Sequence, residues 1–192
     1  MNVRLLNRQT STLLIIDVQD KLLPAIATGS DVVTTIQFLQ QAAAVLAIPV
    51  AISEQYPQGL GHTVATIRDA SPAAEIFEKL RFSAANEFAA AVPLDRHQVV
   101  LCGIESHICV LQTALELQHT GYEVSVVEDA IGSRHEADHH NALTRLQHQG
   151  VNVCRAESVV FEWCERAGTD DFRAISRMVR ERSDRRSADD AS

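Results

Sequence analysis

The feature that most constrains the fold is a pair of nearly continuous apolar runs of strand length, TLLIID at residues 12–17 and QVVLCG at residues 98–103. A strand that is apolar at consecutive rather than alternate positions is covered on both faces, which is typical of a parallel sheet. Shorter runs of the same kind recur along the chain, with a weaker one at 75–79. The other predicted strands are, in chain order, 48–53, 75–79, 123–129 and 152–158.

Segments with helical periodicity fill the gaps between these runs. The clearest spans 31–47, where apolar residues recur close to every 3.6 positions and Pro49 follows the end. Alternating strands and helices predict one domain of the α/β class over residues 1–182, a three-layer αβα, doubly wound (Rossmann-like) fold on a six-stranded, mainly parallel sheet. The polar tail at 183–192 is expected to be disordered. The other predicted helices are 107–120, 134–149 and 169–182.

Composition excludes several classes of protein. The chain has 46% hydrophobic and 22% charged residues, and no apolar run approaches the length of about 18 residues that spans a bilayer. A net charge of −8 argues against a nucleic-acid partner. The four cysteines form no CxxC pair, which favours free thiols in a reduced compartment, and the first residues, MNVRLLNRQTS, do not resemble a secretory signal. We therefore expect a cytoplasmic protein.

Three reactive side chains are predicted to meet at one edge of the sheet. In doubly wound folds ligands bind beyond the carboxyl ends of the strands. Asp17 ends the first predicted strand, Lys79 ends the weak strand at 75–79, and Cys109 follows the run at 98–103. Of seventeen basic residues only Lys21 and Lys79 are lysines, which suggests that a retained lysine does something arginine cannot.

These residue types can compose a thiol-dependent acyl hydrolase. A cysteine at a helix start beside a cation is expected to have a lowered pKa, and a nearby carboxylate could take its proton and return it to a leaving amine. Backbone N–H groups of the loop GIESHIC could stabilise an oxyanion. Taken alone, each residue also has an ordinary interpretation: Cys109 in the core, Asp17 as a loop or cap residue, and Lys79 on the surface.

Four segments resemble the isochorismatase-like hydrolase superfamily in order and spacing, and the similarity extends to about residue 180. The resemblance is closest to its branch of isochorismatase domain-containing proteins. It implies a triad of Asp17 as general acid and base, Lys79 as its partner and Cys109 as nucleophile. It also implies a cis peptide between Ile104 and Glu105 that turns the N–H groups of Glu105 and Cys109 toward the substrate oxygen. The segments are IIDVQDKL (15–22), SEQYPQGLG (53–61), FEKLRFS (77–83) and LCGIESHICVLQTA (101–114).

Departures from the superfamily narrow the chemistry. Nicotinamidases carry an Asp-x-His metal motif after the second strand, whereas this chain reads ISEQYPQ and has no histidine there before His62. Isochorismatases proper lack the cysteine at position 109. The remaining reaction is attack on an amide, ureide or imide-like carbonyl through a thioester, with no cofactor or metal expected. We expect a small-molecule substrate and a pocket lined by Gln19, Gln55, Tyr56, Phe82 and Ile104.

Several alternatives stay open at this point. Gln19 could instead bond loop backbone, and Phe82 could belong to the core. The histidines at 135, 139 and 140 resemble a metal cluster but are interpreted as surface residues, and the three other cysteines as core. The competing function is a non-catalytic module that keeps the fold for ligand binding or assembly. The resemblance further implies a homo-oligomer, whose subunit number and substrate the sequence does not specify.

Overall fold

Six strands form one parallel sheet in the order β3-β2-β1-β4-β5-β6, with every neighbouring pair parallel. The computed structural model describes residues 5–93 and 95–189, and only the backbone of 185–189. This order is that of the doubly wound fold, so the predicted α/β class and six-stranded sheet are confirmed. The strands are β1 Ser11–Ile16, β2 Val50–Gln55, β3 Glu75–Lys79, β4 Gln98–Ile104, β5 Glu123–Gly132 and β6 Asn152–Cys154.

Helices cover both faces of the sheet. A 3₁₀ turn at Leu23–Ala25 and a π-helical turn at Ser106–Val110 precede α1 and α5. Within the described residues no helix is long and apolar enough to cross a bilayer. The helices are α1 Gly29–Val45, α2 Pro57–Leu60, α3 Ala65–Arg68, α4 Ala85–Ala91, α5 Leu111–His119, α6 Glu136–His148, α7 Ala156–Cys164 and α8 Asp170–Asp189.

Two cores explain why the central strands are apolar at successive positions. Leu13 and Ile15 of β1 point into the core beneath α1, α7 and α8, which contains Trp163. Leu14 and Ile16 point into the opposite core beneath α4, α5 and α6. Because successive side chains of a strand alternate between faces, a strand covered on both sides needs apolar residues throughout.

The boundaries differ from the predicted ones near the carboxyl terminus. The segment 152–158 is a strand only through Cys154, because α7 begins at Ala156 and buries Val159 and Val160 in the core. Helix α8 continues to Asp189 rather than ending at 182, so the backbone of the predicted disordered tail is helical up to that residue. The sequence 183–189 contains no proline or glycine that would break the helix. Residues 190–192 lie outside the described residues.

Gly103 allows β4 to approach β1 at the point where the site lies. Its φ is +118°, and a Cβ atom there would lie 2.1 Å from the carbonyl oxygen of Ile16. A larger residue would therefore separate the two central strands. The strand order changes direction between β1 and β4, which is where doubly wound folds bind their ligands.

Candidate active site

Asp17 lies where β1 turns away from the sheet. Its φ of +52° ends the strand, in a left-handed conformation that aspartate tolerates better than most residues. The side chain is completely buried. Its Oδ1 atom accepts a hydrogen bond from the Ser53 hydroxyl at 2.6 Å, and its Oδ2 atom accepts one from the Lys79 ammonium at 2.7 Å. A buried carboxylate is thus held by two donors in a fixed orientation.

Lys79 is the last residue of the edge strand β3, and its side chain is shielded from solvent. Its ammonium group donates to Asp17 Oδ2 at 2.7 Å, to Gln55 Oε1 at 2.7 Å and to the carbonyl oxygen of Phe82 at 2.9 Å. A buried ammonium is stable only when its donors find partners. The end of β1, the last residue of β2 and the turn after β3 supply those partners, so the lysine side chain is directed inward.

Cys109 lies in the π-helical turn between β4 and α5 and is 7% exposed. The Asp17 carboxylate and the Lys79 ammonium are near enough to act on the pKa of its thiol. The carbonyl oxygen of Cys109 accepts a bond from the Thr113 hydroxyl at 2.6 Å, which fixes the turn to the first part of α5. The peptide bond between Ile104 and Glu105 is cis, as the resemblance implies. The structure therefore brings together all three residues that the strand-end argument selected.

Burial dominates the electrostatics of this group. It raises the pKa of Asp17, although Lys79 and the bonds from Lys79 and Ser53 oppose the rise. Burial also raises the pKa of Cys109 to about 12; the Asp17 charge adds to the rise and Lys79 opposes it. The expected lowering of the thiol pKa is therefore wrong, because the desolvation cost of a thiolate exceeds the stabilisation from one lysine. The resting thiol is protonated and has a carboxylate beside it.

The predicted pocket residues separate into two groups. Gln19 is fully buried. Its side-chain amide donates to the Gln55 carbonyl oxygen and accepts from the Gln55 backbone N–H, so it bonds backbone, which was the alternative to a place in the pocket. Gln55 holds Lys79 through Oε1. Ile104 is fully buried in the core on the α1 side. Tyr56 and Phe82, by contrast, are 50% and 53% exposed. In the sequence they come shortly after the buried residues Gln55 and Lys79. The alternative interpretation of Phe82, as a residue of the core, is therefore wrong.

Sequence reasoning missed Ser53 as part of the site. The residue pairs with Ile16 in the β1–β2 register and is fully buried, so its hydroxyl reaches the Asp17 carboxylate. The position of this serine at the end of the predicted strand 48–53, as Asp17 ends the first predicted strand, is the signal that could have found it. Buried hydroxyl groups need a partner, and the adjacent strand end supplies one.

The histidine segment at 135–140 does not form a metal centre in the described part of the chain, where no group of three potential metal ligands occurs. His135 and His140 are exposed, in agreement with their interpretation as surface residues. His139 differs, because its ring is half-buried and its Nδ1 atom lies 3.0 Å from the hydroxyl oxygen of Ser106. Interpreting all three as surface residues was therefore wrong for His139.

Fold and site together define a doubly wound α/β protein with a buried thiol, carboxylate and ammonium at its topological switch point. The model of the isochorismatase domain matches residues 11–158. The chain belongs to the isochorismatase family.

Named relatives and a solved structure agree with that assignment. Isochorismatase domain-containing protein 1 of Danio rerio is 38% identical over 91% of this chain, which spans only 62% of that relative. Isochorismatase domain-containing protein 2 of the same organism is 35% identical, with 91% of this chain and 89% of that protein covered. The structure of MAR1 ribonuclease from Caenorhabditis elegans is 32% identical, with a TM-score of 0.84 and 92% of both chains covered.

Proposed function

We propose that this chain is a cysteine-dependent hydrolase of a small carbonyl substrate with a C–N bond, an amide, ureide or related compound. The observation that carries the proposal is the buried contact of Asp17 with Lys79, with the Cys109 thiol beside both. A raised pKa makes Asp17 a stronger base than an exposed aspartate, and it is in reach of the proton that must be removed. Membership of the isochorismatase family supports a hydrolase.

The reaction proceeds in two halves. Asp17 takes the thiol proton as the sulfur attacks the carbonyl carbon, and then gives that proton to the leaving nitrogen as the C–N bond breaks. The thioester formed on Cys109 is hydrolysed by water, from which Asp17 takes a proton that returns to the sulfur. Because the thiol is protonated at rest, proton transfer accompanies attack, and the thiolate does not have to exist as a stable buried anion.

Lys79 keeps Asp17 ionised and oriented throughout this cycle. Without the ammonium group, burial would favour the neutral acid, which cannot accept a proton. Gln55 in turn orients Lys79, because its Oε1 atom accepts a hydrogen bond from the ammonium group. The Nε2 atom of Gln55 donates to the carbonyl oxygen of Leu80 at 2.9 Å. We assign the oxyanion hole to the backbone N–H groups of Glu105 and Cys109.

The ribonuclease name of the Caenorhabditis elegans structure favours a different substrate class. We do not propose ribonuclease activity for this chain, because its net charge is −8 and the three reactive groups are buried. Binding of a nucleic-acid backbone relies on exposed cationic surface. A site of this kind suits a small molecule.

We also propose that the protein is a cytoplasmic homo-oligomer without a metal or cofactor. The described cysteines are free, which suits a reducing compartment. Leu80 and Phe82, 77% and 53% exposed, form an apolar rim after β3 that a second subunit could cover while completing the pocket around Tyr56. Light scattering at micromolar concentration tests the homo-oligomer, and a monomer would rule it out.

The test of the hydrolase is a panel of small amides and ureides assayed for release of ammonia or amine. Cys109→Ala should abolish turnover, whereas Cys154→Ala, a change at a half-buried thiol of β6, should leave it near the wild-type rate. Intact mass under rapid quench should show an acyl adduct on Cys109 that is absent from Cys109→Ala. Turnover that survives in Cys109→Ala would refute thiol catalysis. Ligand binding without turnover or an adduct would favour the non-catalytic module.

A further inference from the structure

The π-helical turn that carries Cys109 is tied to residues 133–139, which include the start of α6, through three side chains, those of Glu105, Ser106 and His107. The Glu105 carboxylate accepts from the Arg134 side chain at 2.9 Å and from the Arg134 backbone N–H at 3.2 Å. The His107 Nδ1 atom lies 2.9 Å from the Ser133 hydroxyl oxygen. We call Glu105, Ser106 and His107 the nucleophile turn face, since all three precede the sulfur on the same turn.

Ser106 is the most buried residue of the nucleophile turn face. Ser106 is fully buried, and its hydroxyl lies 3.0 Å from the Nδ1 atom of His139 on α6. Desolvation lowers the pKa of His139, and the nearby His140 lowers it further, while Glu128 and Glu136 oppose this. The ring is therefore neutral at neutral pH, and its Nδ1 atom can accept from the Ser106 hydroxyl.

We infer that His139 is a positioning residue that holds the nucleophile turn, and with it the Cys109 sulfur, in line with Asp17. The inference rests on the proposed function for its kinetic consequences but not for its structural ones. These contacts of the nucleophile turn face are with Ser133, Arg134 and His139, so they act on Cys109 through the backbone that they fix. Of the three, the contact of His139 joins a fully buried hydroxyl to a separate helix.

The chain contains a matched control for this role. His140 is the next residue on α6, and its ring packs edge-to-face on His139 with centroids 5.8 Å apart. It is exposed and lies beside the same 520 Å³ cavity between α1, β5 and α6. A general effect of removing an imidazole from this helix would appear in both variants, whereas the positioning effect belongs to His139 alone.

The experiment compares His139→Ala, His139→Asn and His140→Ala for iodoacetamide alkylation of Cys109, followed by peptide mass spectrometry at about pH 9, where more thiolate forms. We expect His139→Ala to change the alkylation rate at least about threefold, because the turn loosens. His139→Asn should stay near wild type, since an asparagine amide can occupy the Nδ1 position, and so should His140→Ala. Ser106→Ala should reproduce His139→Ala, and the double variant should add nothing to either.

Turnover supplies the second readout. With a substrate from the panel, kcat of His139→Ala should fall about tenfold, with KM within about twofold and with rescue by His139→Asn, since loss of one oriented contact raises a barrier by about 1.4 kcal/mol. Equal effects of His139→Ala and His140→Ala, or additive effects of Ser106→Ala and His139→Ala, would overturn the positioning role. If the wild type hydrolyses nothing on the panel, the hydrolase proposal fails and the alkylation series still decides the positioning role.

Discussion

The Nζ atom of Lys79 lies 2.7 Å from the Oδ2 atom of Asp17, and neither side chain is exposed to solvent. The two residues end strands that are not neighbours, β1 and the edge strand β3, with β2 between them. Ser53 and Gln55 of β2 bridge that gap, one bonding each partner. Each buried charge therefore depends on the other, and on two neutral side chains that complete its hydrogen bonds.

Removing the ammonium should destabilise the fold. Lys79→Met leaves the Asp17 carboxylate buried without its counter-ion, and we expect a loss of about 3–5 kcal/mol in the free energy of unfolding. Guanidinium denaturation at neutral pH measures it. Lys21→Met is the matched control, because the other lysine makes an exposed bond to the Gly59 carbonyl and should cost less than about 1 kcal/mol. Similar losses in the two variants would mean that the ion pair contributes little. Asp17→Asn combined with Lys79→Met should recover part of the loss.

The Cys109 thiol should react slowly at neutral pH. With its pKa raised to about 12, the thiolate fraction and the rate of alkylation should rise about tenfold per pH unit between about pH 7 and pH 10. Iodoacetamide labelling of Cys109, followed by peptide mass spectrometry, measures the profile. A rate that levels off near neutral pH would contradict the raised pKa.

Asp17→Asn separates thiol ionisation from catalysis. The Asp17 charge raises the pKa of Cys109 while Lys79 lowers it, so the uncharged amide should lower the thiol pKa and speed alkylation at a given pH. Hydrolysis should nevertheless be lost, because the base is gone. If the Asp17→Asn variant is slower to alkylate and still hydrolyses substrate, Asp17 neither raises the thiol pKa nor acts as the base.

The central architecture follows from patterns that the sequence carries plainly. The consecutive apolar residues of β1 and β4 imply burial on both faces, and that requires parallel strands with helices on either side. The strand-end rule then places Asp17, Lys79 and Cys109 at one edge without any knowledge of their contacts. Resemblance to a known superfamily supplied their roles, which spacing alone left undecided.

Other features depend on packing that no single segment encodes. The predicted strand 152–158 included the first three residues of α7, because that short run does not show how Val159 and Val160 pack in the core and make the segment helical. The pKa of Cys109 could not be predicted, since helix position argued for a lowered value and burial decided the opposite. The contact of His139 with Ser106 joins positions that are far apart in sequence and have no shared pattern.

Glu54 should make stability depend on pH below neutrality. Burial raises its pKa, but bonds from the Thr63 backbone N–H at 2.7 Å and from His62 Nδ1 at 2.8 Å outweigh that, and the net pKa is lowered. The contribution is therefore present above the ordinary value of 4.5 and is lost as the pH falls through the lowered one.

Glu54→Gln tests that dependence. It should reduce the free energy of unfolding at neutral pH by about 1.5–3 kcal/mol, the range for a hydrogen bond to a charged group. It should also flatten the dependence on pH below about 5. Denaturant titrations from neutral to acid pH measure both, with Glu78→Gln on the exposed side of β3 as control. Parallel pH curves for wild type and Glu54→Gln would exclude Glu54 as the source.

Ser53→Ala should shift the pH profile of hydrolysis. The serine hydroxyl donates to Asp17 Oδ1 at 2.6 Å, and this bond lowers the pKa of the carboxylate against the rise caused by burial. Without it the pKa of Asp17 rises, so the acid limb of kcat/KM should move to higher pH by about one unit, while the rate above that limb changes less. Ser125→Ala, at a buried serine of β5 that bonds Asn152, is the control and should leave the limb in place. A uniform fall in kcat/KM at all pH values would show that Ser53 acts on geometry and not on the ionisation of Asp17.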